Sequence, residues 1–442
     1  MRLDDHPTVR RAREKAVAAQ PAPLLSAEWL KELALRHGAA DAGLVEVSRP
    51  AIADQLDYIR DVFPQTKTLL AICARMNREP VRSPTRSVAN QEFHTVYDDV
   101  NHIARAIVTE LSDLGIPACN AVAAFPMEAQ APGRTWTVAH KPIAVEAGLG
   151  KMGVHRSVIH PKHGSFILLD TILIGAEVEA YDQPLDYNPC LGCKLCVAAC
   201  PVGALKPDES FDFLTCFTHN YRDFLGNFND FVDAVVESKD MNTYRKRFSD
   251  QETTSLWQSL SFKPGYKAAY CLAVCPAGED VINPFLEDRP GYVEKVVKPF
   301  QDKEETLYVL PGSDAEGYAR NRYPHKDIKR VKRAVQTRSV ASFLAQLPLA
   351  FQRGRAKGLN TTYHWTFTGA EEIEVTIRIA DRKLQVTPGH HGDPDVRITA
   401  DAKTWTRVIN RQYSMINALV LRKIRVKGDM KLFRAFGRCF PG

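Results

Sequence analysis

Apolar positions along the chain follow two rhythms. Over residues 26–37 (SAEWLKELALRH) and 92–115 they recur every third or fourth position. In the second stretch Phe93, Val96, Val100, Ile103, Ile107, Leu111 and Leu114 form one stripe that Gly115 closes, so both stretches predict helices. Residues 68–74 (TLLAICA) and 166–175 (FILLDTILIG) are continuous apolar runs of strand length, the latter too apolar for an exposed edge. Strands alternating with helices predict one α/β or α+β domain over residues 1–180. Cysteine-rich sequence then fills 181–290, with a helical insert at 217–267 where Phe228, Phe231, Val232, Val235 and Val236 keep helical spacing.

From 291 to 337 the rhythm breaks at Pro299, Pro311 and Gly312, which predicts a connector. A new pattern occupies 338–442. Tyr363, Trp365 and Phe367 alternate, and Ile373, Val375, Ile377 and Ile379 alternate with Glu374, Thr376 and Arg378, giving two strands with one buried face each. Amphipathic helices near 403–409 and 413–421 precede a short strand, Ile424–Val426, and the turn Lys427-Gly428-Asp429. The fold class expected is therefore α+β and multidomain.

Composition changes this picture little. The chain has 442 residues, 45% apolar and 25% charged, which suits two or three soluble domains. No run approaches the roughly 18–20 apolar residues of a membrane helix, so no transmembrane segment is expected. Arg10-Arg11, with Arg13 and Lys15, resembles an export signal, but Gln20, Pro21 and Pro23 interrupt the weakly apolar alanine stretch beyond them; a solvated helix and a cytoplasmic location are expected. The net charge of +6 is local: Arg320 to Arg338 holds eight basic residues and one acid, Asp327, and the remainder is about neutral. A basic connector is expected, and no nucleic acid partner.

The cysteines carry the chemistry. Cys190, Cys193, Cys196 and Cys200 lie at C-x2-C-x2-C-x3-C-P, a spacing that lets three thiolates of one loop reach a 4Fe-4S cluster while the fourth faces a second cluster. Zinc sites pair C-x2-C knuckles without the third cysteine and the Cys-Pro ending. Cys271 and Cys275 repeat the C-x3-C-P ending, so Cys275 should close the first cluster, leaving Cys200, Cys271 and the distant Cys216 for the second. A standard run would place a cysteine at 268, where this chain has Ala268. The second centre is then 3Fe-4S, or 4Fe-4S with another ligand, for which His219 and Asp280 are nearest in sequence; alternatively Cys216 is merely buried and only one cluster exists. Gly148, Gly150 and Gly153 spell G-x-G-x-x-G, but a helical stretch precedes them, which excludes a dinucleotide fold. They form either a loop that lets amides approach a cofactor or a helix cap and turn.

From about 65 to 276 the chain resembles the epoxyqueuosine reductases and corrinoid-dependent reductive dehalogenases. The segments that carry the likeness are TKTLLAICARMN, the helix at 92–115, HKPIAVEAGLGKMGVHRSVIHPKHGSFILLDTILIG and the cysteine runs. The resemblance implies a nitroreductase-like domain holding base-off cobalamin beside two clusters, with ferredoxin or flavodoxin as electron donor. Under it the glycine loop would approach a corrinoid tail. Tyr97, Arg134, His140, Lys141, His155 and Arg156 are candidate proton donors or anion holders, and no single catalytic residue is assigned. Family members generally carry the cysteine that Ala268 replaces. Residues 339–442 resemble the sterol carrier protein domain, especially at FLAQLPLAF, DVRITAD and KIRVKGDMKLF, which implies a lipid, sterol or acyl ligand. The function expected is an iron–sulfur reductase acting through a bound cofactor on an apolar substrate. Its rivals are a non-catalytic electron-transfer and lipid-binding protein and a tRNA-modifying reductase.

Overall fold

The computed structural model describes residues 2–18, 24–125, 137–332 and 337–441. Strands β1 (Asp41–Glu46), β2 (Thr68–Arg75) and β3 (Ala118–Asn120) come first, followed by a small hairpin of β4 (Lys151–Met152) and β5 (Val158–Ile159), and then β6 (Ile167–Ile174). Four of these form an antiparallel sheet in the order β1-β2-β6-β3. The two inner strands are covered on both faces, which is why their sequences do not alternate. The helix Arg86–Asp113 packs on one face and the helix His140–Glu146 on the other.

The long helix follows its predicted stripe. Phe93, Val96, Val100, Ile103, Ile107 and Leu111 are buried, while Leu114 is 58% exposed because it caps the helix. Gly115 then takes φ +76°, a left-handed turn that side-chain-bearing residues resist. The helix starts at Arg86, ahead of the expected start at residue 92. The boundary expected near 180 is not a boundary of packing: the core that holds Phe93 and Val96 also holds Tyr266, Ala268, Tyr270, Val281 and Phe300.

The insert forms the helices Asn227–Glu237, Met241–Arg247 and Asp250–Phe262, and the helix Phe213–Asn220 leads into it. Its apolar stripe is only half used. Phe231 and Ala234 pack on Tyr244 and Phe248, whereas Phe228, Val232, Val235 and Val236 face outward. The inner side docks on the long helix: Asn90 brackets the backbone of Tyr266 through Nδ2 to O (3.1 Å) and Oδ1 from N (2.8 Å).

The expected connector is folded. Strands β7 (Thr306–Val309) and β8 (Asp327–Arg330) pair in parallel across the helix Asp314–Arg322. Five of its basic residues form ion pairs, with Lys326 buried, Lys329 half-buried and Arg320, Arg330 and Lys332 exposed: Lys326 with Glu305 (2.7 Å), Lys329 with Glu252 (2.6 Å), Lys332 with Asp233 (3.0 Å), and Arg320 and Arg330 with Glu316 (3.0 and 2.7 Å). Burial opposes ionisation of Glu316, but the amide of Gly312 and the two guanidiniums outweigh it and hold the carboxyl at about 2. A depressed folded-state value stabilises fully above the unfolded value and is lost as pH falls through the folded one. Glu316→Gln should therefore lower the melting temperature at neutral pH, and its difference from wild type should shrink between pH 4.5 and about 2. A difference constant across that window in thermal melts would contradict this account.

The C-terminal module is a five-stranded sheet of β9 (Thr361–Thr368), β10 (Ile373–Ala380), β11 (Lys383–Pro388), β12 (Val396–Asp401) and β13 (Ile424–Gly428), in the order β11-β10-β9-β12-β13. Only β9 and β12 run parallel. Tyr363, Trp365, Phe367, Val375, Ile377 and Ile379 share one buried face, under the helices Val340–Ala350, Ala402–Ile409 and Met430–Arg438. Ser339 and Ser342 form a capping box that starts the first of these helices. That helix also packs on the helix Phe213–Asn220, with Leu214 and Ala350 in one apolar group and Gln352 Nε2 donating to Asp212 Oδ2 at 2.9 Å. Among the described residues, no helix is long and apolar enough to cross a membrane.

Candidate metal centre

Two short segments with the same local design meet at the centre of the cysteine-rich region. Lys194 and Ala269 each take φ 56°, and each opens a short helix, Leu195–Ala199 or Tyr270–Ala273. Each helix carries a cysteine near its start, Cys196 or Cys271, and is followed by a Cys-Pro pair, Cys200-Pro201 or Cys275-Pro276. The two helices pack against each other. In this correspondence Ala268 stands where Cys193 stands in the first segment. A left-handed non-glycine residue is strained, and its recurrence at both turns points to a shared backbone requirement.

Cys190, Cys193, Cys196 and Cys275 line a single cavity of about 180 Å³, together with Val154, His155 and Ile159. The rim, Leu191 and Gly192, is exposed. Among the described residues no three ligating side chains are grouped tightly enough for a single metal ion. The thiols instead ring a space, as the corners of a cubane require. Backbone donors already point at sulfur: the amide of Val154 reaches Cys190 Sγ at 3.4 Å, and that of Ala204 reaches Cys200 Sγ at 3.2 Å. The donor set fits a 4Fe-4S cluster held by Cys190, Cys193, Cys196 and Cys275.

Behind this group Cys200, Cys216 and Cys271 pack on the apolar residues Val202, Leu205, Leu307 and Val309, so the ribbon β7–β8 forms part of their wall. Burial raises Cys216 well above the usual thiol value, and the neighbouring Cys271 and Cys200 add to it. Burial likewise pushes Cys271 up to about 12. Such thiols ionise readily only against a metal or another cation.

Of the two proposed substitutes for a fourth cysteine, Asp280 is paired with a histidine and His219 has one ring nitrogen engaged. Asp280 pairs with His163 at 3.3 Å. His219 is buried on the same helix as Cys216, but its Nδ1 accepts from the amide of Tyr308 (3.3 Å) and its ring stacks on Tyr308. Its Nε2 has no partner among the described residues. Burial pushes its pKa down to about 4, and the charges that act on it most are Glu305, Lys267, Lys326 and Arg222.

The glycine turn is filled by the chain itself. Gly148 takes φ +75° after the helix His140–Glu146, and a Cβ there would lie 2.9 Å from Gln183 O. A Cβ on Gly150 would lie 2.4 Å from Ile159 O, and one on Gly153 would meet Ile159 Cδ1 at 2.6 Å. These glycines serve a helix end and the close packing of β4 on β5, with no open cradle at the turn.

Of the remaining candidates, Lys141, His155 and Arg156 lie together beside the thiols, whereas Tyr97 and His140 lie apart from them. Tyr97 hydroxyl bonds Tyr266 hydroxyl at 2.9 Å inside the core shared with the insert. His140 is held by Thr171 Oγ1 and Val122 O, both at 2.9 Å, and burial brings it to about 4. Lys141 Nζ donates to Arg156 O at 2.7 Å; desolvation lowers its pKa, against the pull of Cys271 and Cys216. His155 lines the first cavity. Arg134 lies outside the described residues. Ser165, which the sequence offered no reason to select, is wholly buried and bonds His155.

Comparison with known proteins agrees with this division. Residues 184–206 match the 4Fe-4S binding domain family, and residues 343–441 match the SCP-2 sterol transfer family. Over 169 residues the chain is 29% identical to the epoxyqueuosine reductase of Gloeobacter violaceus, covering 37% of this chain and 48% of that protein. The chain thus spans about half the length of that relative. A solved epoxyqueuosine reductase from Streptococcus thermophilus superposes over 61% of this chain and 75% of its own, at 16% identity and a TM-score of 0.35. A catabolic reductive dehalogenase superposes over 40% of this chain and 25% of its own, at 17% identity and a TM-score of 0.33. The chain joins an epoxyqueuosine-reductase-like iron–sulfur region to a sterol-carrier-like module.

Proposed function

We propose that the protein is an iron–sulfur reductase that acts on an apolar, lipid- or steroid-like substrate brought by its C-terminal module. The observation that carries this reading is the seating of that module: its helix Val340–Ala350 rests on the helix that bears Cys216. Iron–sulfur clusters supply one-electron transfer at potentials set by burial, charge and hydrogen bonds to sulfur. The chain's own residues do the rest. The exposed rim at Leu191 and Gly192 leaves the first thiol group within reach of a soluble donor such as ferredoxin or flavodoxin. An apolar wall shields the second group, with Cys200 buried and Cys216 and Cys271 half-buried. In the module, the indole N–H groups of Trp365 and Trp405 are buried without an acceptor among the described residues, an opening for the hydroxyl or carboxylate of a bound lipid.

A second reading, a non-catalytic electron-transfer and lipid-binding protein, is supported by one observation: a Cβ at Gly148, Gly150 or Gly153 would meet the chain itself, at Gln183, Ile159 or His155, so close packing alone accounts for these glycines. One experiment separates the two. After anaerobic reconstitution with iron, sulfide and hydroxocobalamin followed by gel filtration, a reductase of the expected kind retains corrinoid absorbance and an electron carrier does not. Iron content should reach about seven atoms per chain, since the second thiol group lacks a fourth cysteine. Air-oxidised protein should then give an electron paramagnetic resonance signal of the 3Fe-4S type, which Ala268→Cys abolishes by completing a 4Fe-4S centre. Identical spectra for wild type and Ala268→Cys would remove position 268 from the second site.

A further inference from the structure

The charge of the C-terminal module is unevenly placed. Residues 402–428 hold seven basic residues and no acid. Within this segment stands the short helix Met415–Val420, whose two sides differ. Inward, Ala418 is buried, and Met415 and Leu419 pack on the module's core. Outward, Ile416 is 72% exposed, Val420 73% and the adjoining Leu421 61%. A single exposed aliphatic side chain needs no explanation, but three together, rimmed by polar residues, mark a contact surface. Cations frame them. Arg422 and Lys423 follow Leu421 directly and are exposed. The Tyr413 ring gathers the Arg407 guanidinium at 5.2 Å and Lys423 Nζ at 5.8 Å. Unlike the bases of the β7–β8 segment, Arg407, Arg422 and Lys423 form no ion pair among the described residues.

We propose that this face docks on an anionic lipid surface, with Ile416, Val420 and Leu421 entering the headgroup boundary and Arg407, Arg422 and Lys423 meeting phosphates. A nucleic acid would satisfy the cations but not the aliphatic side chains, because its bases stack on aromatic faces. A lipid surface satisfies both, since apolar burial and attraction to anionic headgroups add together. Arg407 also shares the helix Ala402–Ile409 with Trp405, so the docking face backs onto the buried indoles. The docking needs neither thiol group and no electron transfer.

The test is co-sedimentation of the full-length protein with vesicles of phosphatidylcholine alone, or of phosphatidylcholine and phosphatidylglycerol in equal parts. Wild type should pellet with the mixed vesicles and not with phosphatidylcholine alone, and added salt should weaken the binding. Arg422→Gln combined with Lys423→Gln should weaken it by about five-fold for each cation removed. Ile416→Asn combined with Val420→Asn should weaken it too, although the net charge is unchanged. All four side chains are exposed, so the folded state bears their loss. Wild type that pellets no better than either double variant would overturn the docking site. Retention of mixed transfer RNA on gel filtration, with no vesicle binding, would overturn the lipid surface and identify a polyanion site instead.

Discussion

Cys275→Ser should bleach the same visible absorption that Cys193→Ser bleaches, and iron content should fall by about four atoms per chain in each variant. The two residues stand on opposite sides of the insert in sequence, yet both line one cavity with Cys190 and Cys196. A local reading of the sequence would assign Cys275 to its near neighbour Cys271 instead. In the structure Cys271 packs with Cys200 and Cys216 behind the cavity. Cys271→Ser should accordingly spare the first centre and alter only the second. Both outcomes are read from absorbance and paramagnetic resonance of variants reconstituted side by side. A first-centre spectrum that survives Cys275→Ser would show that the pairing across the insert is wrong.

Trp365→Ala should unfold the C-terminal module while leaving the iron–sulfur absorbance in place. Trp365 is wholly buried, and its ring centroid lies 4.7 Å from Trp405, 5.2 Å from Phe436 and 5.5 Å from Phe367. Removing so large a buried ring costs about 3–5 kcal/mol, comparable to much of the stability of a module this size. The module's core contains no cysteine of either thiol group. Calorimetry should show its transition lost or moved to lower temperature, with a separate transition remaining for the rest of the chain. Displacement of a fluorescent fatty-acid probe should be lost with it. Wild-type protein that unfolds in one transition, shifted as a whole by Trp365→Ala, would show instead that the seat on Phe213–Asn220 makes the two regions one cooperative unit.

Much of this architecture was legible because burial follows pattern. The alternation Tyr363-Trp365-Phe367 gives the inner face of β9, and the unbroken run at 166–175 gives an inner strand. The early start of the long helix was not legible. Its first turn is polar, and the groups that hold it lie far along the chain: Arg86 stacks over Tyr270 at 5.2 Å and Asn90 brackets Tyr266. The connector misled for a related reason. Strands β7 and β8 are too short to show a period, and the prolines and basic residues of the segment around them resemble a linker until Glu316, Glu252 and Glu305 are seen to pair with Arg330, Lys329 and Lys326. The insert shows the reverse failure, since helical spacing at Phe228, Val232, Val235 and Val236 announces a helix but not that these residues face away from the core.

At the candidate centre the thiols could be found from spacing, because ligand geometry constrains short loops. Ser165 could not. It lies in no motif, and only the fold brings its buried hydroxyl to His155. The parallel between Lys194 and Ala269 was hidden for a similar reason: the two residues share a backbone angle, not a side chain.

The exchange of partners between the two cysteine runs has a consequence for biosynthesis. During translation, the first run emerges with three thiols for one centre and one for the other, and neither set is complete. Both must wait until the whole insert and the second Cys-Pro have left the ribosome. On the proposed ligand assignment, iron loading needs both runs, and a loaded centre ties the two ends of the insert together. On the same assignment, a nascent or iron-starved chain has neither tie.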